Sequence, residues 1–245
     1  MQYMPRYPTI APLIEMAEEQ WGFVTRRQAL RLGVSRRSWE RLTTTGEMLK
    51  KVAHGVYRPR GVPPPDHEQL RAAWLQLAPD VPAWERVEQQ GVVSHRSAAD
   101  MYGAGHLPEE RHDFTVAMRH QSRREDVRLH SRKLSDTEWI ILRGLPVTRP
   151  SRIASDLLYD REDPTGVAQI ISESLRNVYD YPSTCAEALA PHAAKFELRR
   201  GDGVMLLKVL LELVDDPQTD LWMSEARTSV PVERAPAKVG GYPLR

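Results

Sequence analysis

Gly22-Phe-Val-Thr-Arg-Arg-Gln-Ala-Leu-Arg-Leu-Gly-Val-Ser-Arg-Arg-Ser-Trp-Glu-Arg-Leu-Thr-Thr44 is the stretch that decides the first part of the fold. Thr25-Arg-Arg-Gln28 is a capping-box pattern: the Thr25 hydroxyl and the Gln28 amide can each satisfy a free backbone N–H at a helix start. That helix runs to about Leu32, where Gly33 breaks it. Ser35 is then a suitable cap for the next helix, whose apolar edge is Val34, Trp39 and Leu42. Upstream, Ile10, Leu13, Ile14, Ala17 and Trp21 repeat at helical spacing, and Gly22 stops them. Downstream, Gly46 ends the third helix, and Leu49 to Arg58 mixes β-formers with one Gly as a short hairpin does. Three short helices and a hairpin predict an N-terminal winged helix-turn-helix.

Charge agrees with that reading. The chain carries a formal net charge of only +1, yet Thr25 to Arg60 holds ten Arg and Lys against Glu40 and Glu47. Local clustering of this kind governs contact with nucleic acid more than the total does. With Val34, Trp39 and Leu42 turned inward, Arg36, Arg37, Glu40 and Arg41 point outward. Arginine there either reads guanine edges or holds phosphates. Arg26, Arg27, Lys50, Lys51 and Arg58 suit phosphate contacts, and Thr25, Ser35, Ser38 and His54 complete the expected DNA-binding set.

Pro59 to Pro65 contains four prolines and one glycine, and so reads as a linker. The expected organisation is a winged helix-turn-helix over residues 1–62, a mixed α+β domain over 66–216 with a small sheet and several helices, and a C-terminal tail over 217–245. In the second region a helix is expected at about Asp66 to Leu77 and another at Ser94 to Gly103. Strands are expected near Asp113, Val127, Trp139 and Leu145. Helices follow at about Ser151–Tyr159, Val167–Asn177, Thr184–Phe196 and Val204–Val214. Beyond Pro217 the periodicity is lost, and the stretch from Ser224 is read as a disordered terminus or an arm.

Searches for catalytic chemistry return little. No Glu-x-Lys or Asp-x-Lys occurs, which argues against a nuclease that holds a metal beside a phosphate. His112-Asp113 is an isolated pair, Gly201-Asp-Gly is too short for a phosphate loop, and Cys185 is the only cysteine. No enzyme activity, cofactor or metal is expected. With no long apolar run, the chain reads as a cytoplasmic protein without membrane contact. A second basic cluster, Arg111, Arg119, Arg123, Arg124, Arg128, Arg132 and Lys133, admits three readings: a solvated edge, an extension of the DNA surface, or a docking site for an acidic partner.

The run from Gly22 through Val52-Ala-His-Gly-Val-Tyr-Arg58 resembles the N-terminal winged helix of AbiEi-type antitoxins from bacterial type IV toxin–antitoxin systems. Ser94-His-Arg-Ser-Ala-Ala…Tyr102-Gly and Gly144-Leu-Pro-Val-Thr-Arg-Pro-Ser-Arg-Ile-Ala-Ser-Asp-Leu158 resemble stretches of that family's second domain. The resemblance covers about Gly22 to Leu158. It implies a repressor that binds double-stranded operator repeats in its own promoter, with self-association on DNA, and that neutralises a cognate nucleotidyltransferase-like toxin. The alternatives are a winged-helix regulator without a toxin partner and a nucleic-acid-processing enzyme. Gly46 to Gly55 is about one residue longer than the family pattern, which leaves the register of the wing open.

Overall fold

A computed structural model of the chain describes residues 10–44, 48–87, 90–108, 110–118, 122 and 124–228. The architecture is mixed α+β and divides into two compact units, with the break between Gln90 and Gly91.

In the first unit, helices α1 (Ala11–Glu18), α2 (Arg26–Arg31) and α3 (Arg36–Thr44) surround a three-stranded antiparallel sheet. Its strands are β1 (Val24–Thr25), β2 (Leu49–Ala53) and β3 (Val56–Pro59), in the order β1-β3-β2. The capping box at α2 forms as expected: Gln28 N–H donates to Thr25 Oγ1 at 3.1 Å, and Thr25 N–H donates to Gln28 Oε1 at 2.9 Å. Leu13, Val24, Ala29, Val34, Trp39 and Leu49 close the core. Trp39 meets Tyr57 edge to face at 4.9 Å, a pairing worth about 0.5–1.5 kcal/mol beyond its burial. Between Lys51 and Ala53 the β2–β3 register shifts, so Val52 is a bulge. The hairpin closes with this bulge in β2. Gly46 itself lies outside the described residues.

The expected boundary at Pro59–Pro65 is corrected. Helix α4 (Glu68–Leu77) belongs to the first unit, because the chain beyond the prolines supplies polar and aromatic partners that the first three helices lack. Buried Gln20 and Gln28 exchange side-chain hydrogen bonds at 2.7 and 3.1 Å; Gln28 also donates to the Val81 carbonyl, and Gln20 accepts from Ala83 N–H. Trp74 packs edge to face on Trp21, and the buried Arg71 guanidinium sits 4.7 Å from the same Trp21 ring. Arg86 caps the end of α4 by donating to the carbonyls of Trp74, Leu75 and Ala78.

The second unit is built on a five-stranded mixed sheet. Its strands are β4 (Val92–Val93), β5 (His112–Val116), β6 (Val127–Ser131), β7 (Trp139–Leu142) and β8 (Leu145–Thr148), ordered β6-β5-β4-β8-β7. The pairs β5–β6 and β4–β8 are parallel, the other two antiparallel. Helix α5 (His95–Tyr102) packs on β5, β8 and α6 (Pro150–Tyr159). Beyond it, α7 (Pro164–Arg176), α8 (Pro182–Leu189), a 3-10 segment (Ala190–Phe196) and α9 (Gly203–Leu213) form a helical layer. Ile153, Ile170, Ile171, Leu206 and Leu210 fill it without exposure. At Gly203 a Cβ would lie 1.9 Å from the Ala186 carbonyl oxygen, so α9 starts against α8 only because that residue is glycine. The tail is also corrected: Thr219–Arg227 form a tenth helix, α10, which lies on α8 and α9 and buries Met223 and Ala226. Its period was hidden by shortness. The rest of the expected arm, residues 229–245, lies outside the described residues.

Candidate functional site

Two places in the chain concentrate functional side chains, one in each unit. In the first unit, α3 turns Trp39 into the core beside Val34 of the preceding turn, and Arg36, Arg37, Glu40 and Arg41 are exposed. Ser35 caps the helix by accepting from Ser38 N–H at 3.1 Å, and the two hydroxyls bond at 3.0 Å. Arg26 and Arg27 are exposed in the first turn of α2, and Lys50 and Lys51 on β2. The Gly55 carbonyl accepts from Arg26 N–H at 2.9 Å, which sets the exposed His54 turn beside the start of α2. Among the described residues, Arg26, Arg27, Arg36, Arg37, Lys50 and Lys51 form no ion pair. Arg41 reaches only Ser38 Oγ, at 3.5 Å.

Two members of the expected DNA-binding set are corrected. Thr25 has no exposure, and its hydroxyl is consumed by the cap and by the Pro79 carbonyl. Arg58 is buried, with Nε 3.6 Å from Glu68 Oε1 on α4. Alternation along β3 explains the second case: Val56 and Arg58 share the inward face, and the helix that receives Arg58 comes after the proline run.

The second unit gathers charged groups between α5, β5, β6 and α6. His95 opens α5 in the left-handed region (φ 52) and stacks on His130 of β6, with centroids 3.5 Å apart and planes at 14°. His95 Nδ1 contacts Ser94 Oγ at 2.9 Å, and His130 Nε2 contacts Asp113 Oδ1 at 2.7 Å. Across from them, Asp160 Oδ2 lies 3.9 Å from His95 Nε2 and 2.9 Å from Arg128. Arg152 joins Asp156 at 2.8 Å and Glu138 at 2.6 Å, and Arg96 joins Glu162 at 2.6 Å. A cavity of about 380 Å³ opens beside this network, lined in part by His95, Arg96, Arg111, Asp113, Arg128 and Asp160.

Burial pushes the His95 ring down to about 2, helped by His130, Arg128, Arg132 and Arg152, so it is neutral. Burial raises the Asp156 carboxyl, and the Arg152 hydrogen bond offsets part of that rise. Burial also works to raise Glu138, but hydrogen bonds from Ser135 and Arg152 outweigh it and hold that carboxyl below its usual range.

Several of the second basic cluster's members are paired with carboxylates, whereas Arg111 and Lys133 are exposed without an ion pair among the described residues. Arg124 pairs with Asp126, Arg128 with Asp160, and Arg132 approaches Asp156 at 3.8 Å while stacking 3.9 Å over Tyr159. Arg119 and Arg123 lie outside the described residues. The histidine cluster escaped the sequence reading because its members are 35 and 30 positions apart. The adjacent pair His112-Asp113 misdirected it, since the partner of Asp113 is His130, across the parallel β5–β6 pairing.

No family model and no curated protein matches the chain. No helix among the described residues is long and apolar enough to cross a membrane.

Proposed function

We propose that the chain is a DNA-binding regulator of the AbiEi antitoxin type, which represses its own promoter and neutralises a nucleotidyltransferase-like toxin. In this reading the first unit is a winged helix-turn-helix: α2 and α3 are the helix pair, β2 and β3 the wing. At about 1.5 Å per residue the nine-residue α3 is roughly 14 Å long, a length that lies comfortably in a major groove about 12 Å wide. Arg36 and Arg37 face the base edges. Arg26, Arg27, Lys50, Lys51 and His54 hold the backbone on either side.

The observation that carries this reading is the placement of the unpaired cations. Arg26, Arg27, Arg36, Arg37, Lys50 and Lys51 stand exposed without an ion pair among the described residues, on α2, α3 and β2, elements that pack on one another. Leaving six cations unmatched on a small unit costs self-repulsion, and a polyanion relieves it. The second unit handles the toxin, the protein works in the cytoplasm, and no catalytic step is assigned to it.

The test is a gel shift on the chain's own promoter with Arg36→Ala/Arg37→Ala, accompanied by circular dichroism. Specific binding is lost while the fold persists. Unchanged promoter affinity in a folded double variant overturns the recognition-helix assignment. Growth rescue on co-expression with a neighbouring nucleotidyltransferase gene separates an antitoxin from a plain regulator.

A further inference from the structure

We propose that His95, His130 and Asp160 hold a divalent transition-metal ion of the zinc class. One donor atom from each of the three lies within 4.8 Å of the others, and they arrive from three different places: the first residue of α5, the fourth residue of β6 and the residue that caps the end of α6. The donors suit a borderline ion, since imidazole nitrogen with one carboxylate is the ligand type of zinc sites that keep an open position.

The hydrogen bonds around the rings favour the same assignment. Ser94 Oγ engages His95 Nδ1, and the tautomer that gives this proton to the hydroxyl leaves the Nε2 lone pair facing Asp160 Oδ2 at 3.9 Å. A lone pair and a carboxylate oxygen at that separation share no hydrogen bond. Two ligands of one zinc ion at tetrahedral angle are about 3.4 Å apart, so the gap is near ligand spacing. On the other ring, Asp113 holds Nε2, and Nδ1 has no hydrogen-bond partner among the described residues. A carboxylate on the far nitrogen of a histidine is the usual orienting partner of a metal ligand. Closing the widest separation requires the stacked rings to turn apart, and the cavity beside His95 and Asp160 gives room for that and for water in a fourth position. Arg128 is the competitor for Asp160; its side chain is 55% exposed, so its ion pair is easily exchanged for solvent.

The test uses the full chain without an affinity tag, stripped by chelator and then titrated. Cobalt(II) is expected to bind at one equivalent per chain with visible d–d bands, and zinc to displace it. In the zinc form, ring signals of two of the eight histidines move in NMR spectra, those of His95 and His130. His130→Gln and Asp160→Asn each lower zinc affinity by more than Asp113→Asn, for which about 10–100-fold is expected from loss of an orienting partner. Arg128→Ala leaves affinity equal or raises it. Substoichiometric uptake by the unaltered chain, or movement of a different histidine pair, overturns the site whatever the variants do. So does full affinity in a folded His130→Gln or Asp160→Asn chain.

Discussion

On the proposed DNA-binding reading, replacing Lys50 and Lys51 of β2 with alanine is expected to lower affinity for every DNA sequence and flatten its dependence on salt. Each protein cation that neutralises a phosphate on duplex DNA contributes about 0.9 to the slope of log K against log[salt]. Arg26, Arg27, Lys50 and Lys51, the Arg and Lys placed on the backbone, are exposed and without an ion pair among the described residues, so the intact chain is expected to have a slope near −3.5. That slope weakens binding about 10²-fold between 50 and 200 mM salt. Losing Lys50 and Lys51 moves the slope to near −2, and at 0.15 M salt it removes about 30-fold in affinity on either promoter or random DNA. Fluorescence anisotropy at four or more salt concentrations measures both quantities. The structure supplies a matched control in Arg58, a neighbour on β3 whose side chain is buried against Glu68. Arg58→Ala destabilises the first unit and leaves the slope unchanged at temperatures where the unit is folded. A slope that falls by about 1 in Arg58→Ala, or one that does not move in the double lysine variant, refutes the division between exposed and buried cations.

Gly203→Ala places a Cβ against the backbone of Ala186, a contact that no rotamer relieves, and is expected to destabilise the second unit by about 1–3 kcal/mol in urea melts; a neutral result means α9 does not start where it is placed. Burial, followed by Lys195 and Arg132, holds His192 below its ordinary value of 6.5, so the unfolded chain takes up that proton first. Its contribution to stability is therefore complete above about pH 6.5 and declines on acidification toward the lowered folded value. His192→Gln flattens that part of the pH–stability curve, and an unchanged curve refutes the assignment. A fragment of residues 91–245 is expected to melt cooperatively and to bind little of the dye ANS. One of residues 66–245 carries α4 without the core that buries Leu70 and Trp74, and binds more; equal dye binding by the two restores the boundary at the proline run.

Local signals were legible in the sequence and long-range ones were not. Thr25-Arg-Arg-Gln28 and Ser35 carry their helix starts within four residues, and both caps form where the pattern places them. Trp39, Val34 and Leu42 likewise declare the inner face of α3 by spacing alone. The proline run misled because proline reports only that helix and central strand stop. Whether the chain then leaves the unit depends on what meets it later, and here Gln20 and Gln28, read as ordinary polar residues, are the buried partners of Val81 and Ala83. Helix α10 was missed because nine residues with only Met223 and Ala226 buried leave too short a period to detect.

Arginine is the residue for which sequence and structure differ most, and the reason is physical. A guanidinium on its own declares a charge, but its role is set by whether a carboxylate lies within about 4 Å, which depends on elements far along the chain. Arg58 and Arg36 look alike in sequence; one meets Glu68 after the proline run and is buried, and the other meets nothing and faces water. In the second unit the same rule runs the opposite way: α6 and the residue after it deliver Asp156 and Asp160, and Arg128 and Arg132 of the basic cluster, with Arg152, pair with them. Arg128, Arg132 and Arg152 still act on the His95 ring, and Asp160 is the carboxylate that faces it. Arg128 therefore links the two readings. As a DNA contact it would be free and Asp160 unshielded, whereas as the partner of Asp160 it leaves the proposed DNA-binding surface to α2, α3 and β2.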